Sequence, residues 1–403
     1  MSSVRSLTIT GYKSIRKLEN FPLTNLNVLI GANGAGKSNF IGLFRLLNEM
    51  VEQRLQLYVQ TQGGPDALLH FGRNVTDKLQ AKFYFGTDTN EPGKFDTYKF
   101  ALIPTNDNRL IFESEFAQIA KVSVEQQKSG GLLVGAAALF ANINPWLALG
   151  GALLAHKITE QHIQNTPLGT GHSESKLKDA ADQHAQLVRQ SVGNWRVYHF
   201  HDTSEKAKVK QKHAANDNIR LKMDASNLAA YLRMLHEKYP GHYQNIVDTI
   251  RLVAPFFDNF IHRFAEEYVE LEWTQKGKPD TPFKAHMLSD GTLRFICLAT
   301  LLLQPTELLP ETLLIDEPEL GLHPYAISIL ADIFKQVSEQ SQLIVSTQSV
   351  ELVNELSPQD IIVVDQEEGV STFKRFTDEE LSGWLEQYSM GELWKRNVLG
   401  GRP

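Results

Sequence analysis

Apolar and polar positions alternate from Val4 through Thr10, break at Gly11-Tyr12-Lys13-Ser14, and give way to a continuous apolar run at Leu26–Ile30. Alternation predicts a strand with one buried face; the unbroken run predicts a strand buried on both. From Asn39 to about Leu57 the period lengthens. There Phe40, Ile41, Leu43, Phe44, Leu46, Leu47, Met50 and Val51 form a wide helical stripe suited to packing on a sheet. The runs 78–85, 97–103 and 110–116 read as strands again, and the polar turns between them predict an antiparallel sheet.

The pattern then changes. No charged residue occurs between Ser129 and Ala155, a stretch long enough to span a bilayer. Asn142, Asn144 and Pro145 interrupt it, leaving two pieces of about eleven residues, each too short to cross alone. The expectation is a hairpin of small-residue helices buried in the protein or at a subunit contact, with a membrane or an exposed effector role as the alternative. Residues 157–190 are polar, and strand character resumes at Trp195-Arg-Val-Tyr-His-Phe-His201. His199 and His201 share one strand face. With Asp202 they could hold a metal, or they are ordinary strand-end histidines. Lys206–Lys212 reads as a solvated basic loop. Helices are expected after the capping Asp224 and over about Tyr243–Leu252, then strands at Ile261–Phe264 and Tyr268–Trp273.

Composition narrows the class without naming it. The 403 residues are 42% hydrophobic and 22% charged, an ordinary globular balance. The one cysteine, Cys297, excludes an internal disulfide and suits a reducing cytoplasm. The N-terminus has no apolar core of a secretory signal. A net charge of −7 with dispersed Lys and Arg argues against a protein that grips DNA broadly through phosphates. DNA contact stays possible but not strongly indicated.

Chemistry enters at Gly31-Ala-Asn-Gly-Ala-Gly36-Lys37-Ser38, a complete G-x-x-x-x-G-K-S between the buried strand and the helical stripe. Glycines let successive N–H groups face phosphate oxygens, and the helix N-terminus adds positive potential. Lys37 would reach the β- and γ-phosphates, and Ser38 would place its hydroxyl on Mg²⁺. Downstream, Ser289-Asp290-Gly291-Thr292 precedes the apolar run Leu293–Leu303, another helix start able to receive an anion. The apolar run ending in Ile315-Asp316-Glu317-Pro318 places adjacent carboxylates at a strand end. Asp316 suits Mg²⁺, and Glu317 suits polarising a water. Gln342–Ser349 is a further strand ending at the amide of Gln348.

These four blocks, in this order, resemble an ABC-type ATPase of the RecF/SMC branch, and stand-alone AAA-type, OLD-like bacterial ATPases within it. The second block resembles the L-S-G-G-Q signature, which in that superfamily closes over the nucleotide of the opposite subunit; Asp290 stands where the transporter type has glycine. A histidine commonly occupies the position of Gln348. An amide cannot take up a proton at neutral pH, so turnover is expected to be slow. Gln62 and Gln80 are candidates for the Q-loop. Without a long heptad run, no coiled-coil arm of SMC length is expected. About thirty residues after Gly369 leave too little for the fused Toprim nuclease of OLD proteins. The end, Tyr388 to Pro403, looks like the tail of small ATPases often encoded beside a nuclease or other effector, several of them in anti-phage defence.

The resemblance covers about 1–116 and 270–403. It implies an α/β fold, a P-loop ABC-type ATPase head with a mixed sheet, an antiparallel β subdomain and a mainly helical insertion. The expected divisions are 1–116, an insertion 117–269 holding the apolar hairpin 129–155, and 270–403. The implied nucleotide set is Asn33, Gly34, Gly36, Lys37, Ser38, Asn39, Ser289 and Gly291, with Ser38 and Asp316 on Mg²⁺ and Glu317, Gln348 and Lys37 catalytic. ATP would join two copies head to tail as a homodimer or higher homo-oligomer, regulating a separately encoded effector. A RecF-like DNA clamp and a scaffold with little turnover are the alternatives.

Overall fold

The computed structural model describes residues 3–86, 94–126 and 156–402, which fall into two compact units. The expected apolar hairpin at 129–155 lies outside the described residues. No helix among them is long and apolar enough to cross a membrane.

The first unit comprises Met1–Trp195, Ser357–Ser389 and Leu393–Pro403. Its antiparallel sheet runs in the order Ile15–Pro22, Val4–Tyr12, Leu79–Gly86, Lys94–Pro104, Leu110–Gln126, His156–Gly169. The alternation at the N-terminus sets its register, with Leu7 opposite Phe21 and Ile9 opposite Ala81. The buried run Leu26–Ile30 pairs parallel with Ile361–Glu367, which turns back antiparallel into Val370–Arg375. Helix Lys37–Val51 buries the stripe read from its sequence. Phe44 packs against Trp195 at 5.0 Å and Phe83 at 6.2 Å, and Phe40 against Phe373 at 5.3 Å between ring centroids.

The second unit comprises Arg196–Leu356 and Met390–Glu392. Three parallel strands form its centre: Thr312–Asp316 lies between Gln342–Thr347 and the short Arg196–Tyr198. Helices Asp290–Leu302 and Pro324–Ser338 pack with them, the first so apolar that every residue from Leu293 to Leu302 is buried. Helices Leu228–Lys238 and Pro240–Val253 and a small antiparallel sheet, Phe257–Ile261, Glu272–Gln275 and Lys278–Lys284, complete it.

Residues 117–269, expected to be mainly helical, carry strand as well as helix in their described part. The strand read at 110–116 continues to Gln126 and returns as His156–Gly169. Pairing on a sheet edge outweighs the polar composition of 157–169, and a helix, Gln183–Gly193, follows farther along.

Candidate functional site

Each unit carries some of the residues expected at the site. In the first, the all-buried strand Leu26–Ile30 delivers the chain into the glycine loop, and the helix begins at Lys37. Gly36 is the N-cap at φ 114°, left-handed backbone that side chains rarely adopt. A Cβ on Gly36 would strike the hydroxyls of Ser371 and Ser14. Gly34, at φ 83°, has nothing within 4 Å of the corresponding position, so its backbone lies open at the loop crest. Asn33, Gly34 and Ser38 are exposed and Asn39 is half-buried.

The Lys37 ammonium is buried and donates to the loop carbonyls of Gly31 and Ala32, the latter at 3.1 Å. It is therefore tethered inside the loop that it serves. Two residues that the motif does not contain brace that loop. Ser371 Oγ donates to the carbonyl of Ala35 at 2.5 Å and lies 2.7 Å from Ser14 Oγ, whose own proton it can accept, and Asn39 Nδ2 donates to Ser14 Oγ at 2.7 Å. Ser14 was legible only as a turn residue, and Ser371 lies more than three hundred residues downstream, beyond any local signal. The tail also reaches this region. Gly401 N donates to Asp365 Oδ2 at 3.1 Å, and the buried Trp394 donates through its indole to Gly401 O.

In the second unit the buried strand Thr312–Ile315 ends at half-buried Asp316, whose carboxylate accepts from Ser346 Oγ on the neighbouring strand. Glu317 adopts φ 44°, the left-handed region unusual for a residue with a side chain, and its N–H donates to Ser346 O at 2.9 Å. Gln348 Nε2 donates to Glu317 Oε1, while Gln348 N donates to Glu319 Oε1 at 2.9 Å. Burial pushes the Glu319 carboxyl above the usual carboxylate range, and the charge of Glu317 adds to this, against donors from Thr347 and Gln348. The sequence run Asp316-Glu317-Pro318-Glu319 is thus three carboxylates with three environments. The first is set by a hydroxyl, the second by an amide, and the third is buried.

Ser289 caps helix Asp290–Leu302, its exposed Oγ accepting from Thr292 N at 3.2 Å. A carboxylate at position 290 would oppose an anion at this helix end, but Lys210 Nζ stands 3.7 Å from Asp290 Oδ1. Lys210 itself is buried and anchored on Thr203 O at 2.6 Å. The basic stretch read as solvated loop therefore contributes one fixed cation. A Cβ on Gly291 would strike Gly321 O, so only glycine lets the helix start approach the loop that follows Glu317.

Arg294 secures the same contact from inside. Its guanidinium donates to Leu320 O, to Phe200 O at 2.9 Å and to His201 O at 3.2 Å. Burial lowers its pKa from the usual arginine value, with Asp290 acting the other way. A lone arginine in an otherwise apolar helix was the available signal, and the motif-based reading passed over it. In the first unit an open glycine crest beside a buried ammonium suits a phosphate group, and in the second a strand-end aspartate oriented by a hydroxyl suits Mg²⁺.

A family model described as "AAA domain, putative AbiEii toxin, Type IV TA system" matches residues 26–119 and 164–354. The match runs through 164–269, where the motif resemblance did not reach. In structure the chain is similar to an Smc head bound to the C-winged helix domain of ScpA, at 14% identity and TM-score 0.56, over 94% of this chain and 99% of that one. It is similar to the Pyrococcus furiosus Smc head domain with an extended coiled coil bound to the C-terminal domain of ScpA, at 15% identity and TM-score 0.56, over 96% and 99%. A Pyrococcus yayanosii Smc head domain with a coiled coil and joint matches at 15% identity and TM-score 0.50, over 96% and 99%. At these identities the likeness is one of fold. No curated protein matches the chain.

Proposed function

The chain belongs to the AAA-domain family whose model it matches, and its fold is that of an ABC/SMC-like P-loop ATPase head; from that premise we propose that it binds ATP with Mg²⁺ and hydrolyses it slowly. In this reading Asn33, Gly34, Gly36, Ser38 and Asn39 line the triphosphate and Lys37 offsets its charge. Ser38 and Asp316 would hold Mg²⁺, which would supply positive charge against the negative charge on the phosphates. Glu317 accepts a proton from the attacking water, and Gln348 orients Glu317.

The observation that carries the reading is the open glycine crest ahead of helix Lys37–Val51, with the Lys37 ammonium held on the loop's own carbonyls. Ser289 and Gly291 are assigned to the nucleotide of a second copy. The exposed hydroxyl of Ser289 and the pairing of Asp290 with Lys210 support that assignment. ATP then makes a head-to-tail dimer, and hydrolysis releases it to signal a separate effector, nuclease-type, in anti-phage defence or DNA maintenance in the cytoplasm. The family description names a toxin of a Type IV system, and two of the similar heads were solved bound to domains of ScpA; both accord with a head that works with another protein.

Phosphate release and light scattering test this. Lys37→Ala should lose ATP binding, and Glu317→Gln should retain ATP and double in mass when it is added. Tight ATP retention by Lys37→Ala, or an unchanged mass for Glu317→Gln, would overturn it.

A further inference from the structure

His199 and His201 follow directly on the short strand Arg196–Tyr198, and their ring centroids lie 6.1 Å apart. That strand pairs parallel with the carboxylate strand in the register Arg196 with Leu313, Val197 with Leu314 and Tyr198 with Ile315. Residue 199 leaves the last paired position, Tyr198, as Asp316 leaves its partner Ile315. A nitrogen of each imidazole and a carboxylate oxygen of Asp316 all lie within 4.8 Å of one another. An ion with bonds of about 2.0–2.2 Å holds tetrahedral donors roughly 3.3–3.6 Å apart, so the side chains would close in on it by rotation on binding.

The backbone around the cluster is fixed. His199 N donates to Met223 O at 3.1 Å, and Arg294 holds the carbonyls of Phe200 and His201. Asp316 has its orienting donor in Ser346, the kind of outer contact that metal-bound carboxylates carry. Asp202, the neighbour that the sequence suggested as third ligand, is engaged elsewhere: it accepts from Ser204 N at 3.1 Å and Ser204 Oγ at 2.7 Å.

Two imidazoles and one carboxylate suit zinc, iron, cobalt or nickel, whereas Mg²⁺ and Ca²⁺ prefer oxygen alone. We propose that His199, His201 and Asp316 form a site for a divalent transition-metal ion, with positions left open for water or a phosphate oxygen. Asp316 is also the residue assigned above to Mg²⁺, so under that reading alone the two ions compete for one carboxylate.

The test uses the full chain, stripped of metal with a chelator and free of nucleotide, titrated with Co²⁺ while its visible absorption is recorded. One ion per chain is expected. His199→Ala, His201→Ala and Asp316→Asn should each weaken binding by roughly 10–100-fold, and Asp202→Ala should not. Circular dichroism identifies any variant that fails to fold. The wild-type chain gives a second reading, since Zn²⁺ should protect His199 and His201 from diethyl pyrocarbonate, as located by peptide mass mapping. Absent absorption and absent protection overturn the site, as does loss on Asp202→Ala with retention on Asp316→Asn. No nucleotide is present, so failure here leaves the ATPase reading standing, and failure of that reading leaves this site measurable.

Discussion

The side-chain amide of Gln348 donates to the carboxylate of Glu317, across the ends of two strands that pair in parallel. A donor on a carboxylate fixes its direction, so Glu317 is held in one orientation by Gln348. Removing the partner tests what that orientation contributes. Gln348→Ala should lower kcat by less than Glu317→Gln, for which loss of the general base costs about 10²–10⁴-fold. KM for ATP should change little in either. Gln348→His should add a titration near about 6.5 to the rate profile, absent in the wild type. Phosphate-release rates from pH 5.5 to 8.5 decide it; a wild-type profile that already bends there would place the controlling group elsewhere.

Gly36 and Gly34 share a left-handed backbone but not their surroundings. An alanine at either position bears the conformational cost, about 1 kcal/mol or somewhat more. At Gly36 the methyl also meets the hydroxyls of Ser371 and Ser14, which are bonded to each other and to Ala35 and Asn39. Gly36→Ala should therefore destabilise the first unit and lower ATP affinity more than Gly34→Ala does. Urea unfolding paired with nucleotide titration measures both, and equal losses would mean that the Ser14–Ser371 brace is irrelevant.

What the sequence disclosed and what it hid divide along a physical line. Local patterns carried the strand-loop-helix at Leu26–Val51 and the carboxylate strand ending at Asp316, because burial and backbone turns write themselves into adjacent residues. Partners fixed by tertiary contact were hidden. Ser371 on the P-loop and Lys210 beside Asp290 have no local signature. The strand Leu110–Gln126 was cut short at 116 because its continuation depends on pairing with His156–Gly169, not on its own alternation. His199 and His201 were recognised as a pair, but their carboxylate neighbour comes from a different strand, 115 positions away from the nearer of them.

Arg294 is the next residue whose removal should be felt. It is buried among Leu293, Phe295 and Ile296 and spends its donors on the carbonyls of Phe200, His201 and Leu320. Arg294→Met keeps the volume and strands those acceptors, at a cost of about 1–3 kcal/mol for a group left unsatisfied. Lysine should not rescue, because one ammonium cannot reproduce a planar fork serving three acceptors. The measurement is the urea midpoint of the two variants against wild type. Full stability in Arg294→Lys would show that charge alone suffices.

His262 makes the second unit sensitive to acid. Its ring lies between His236, at 4.9 Å, and Tyr243, at 5.4 Å between ring centroids. Tyr243 OH donates to Asn259 Oδ1 at 2.8 Å, so its oxygen is the acceptor for His262 Nε2 at 3.0 Å, and that nitrogen carries the proton of the neutral ring. Burial, then the neighbouring His236 and Arg233, hold the pKa down to about 4 against an ordinary 6.5. A folded-state value below the unfolded one means that the unfolded chain binds the proton first. The resulting stability is intact above about 6.5 and is lost progressively as pH falls toward about 4. Unfolding midpoints should fall across that window, and His262→Phe should flatten the fall while losing the bond to Tyr243. Equal slopes for wild type and His262→Phe between pH 6.5 and 4 would assign the acid sensitivity to other groups.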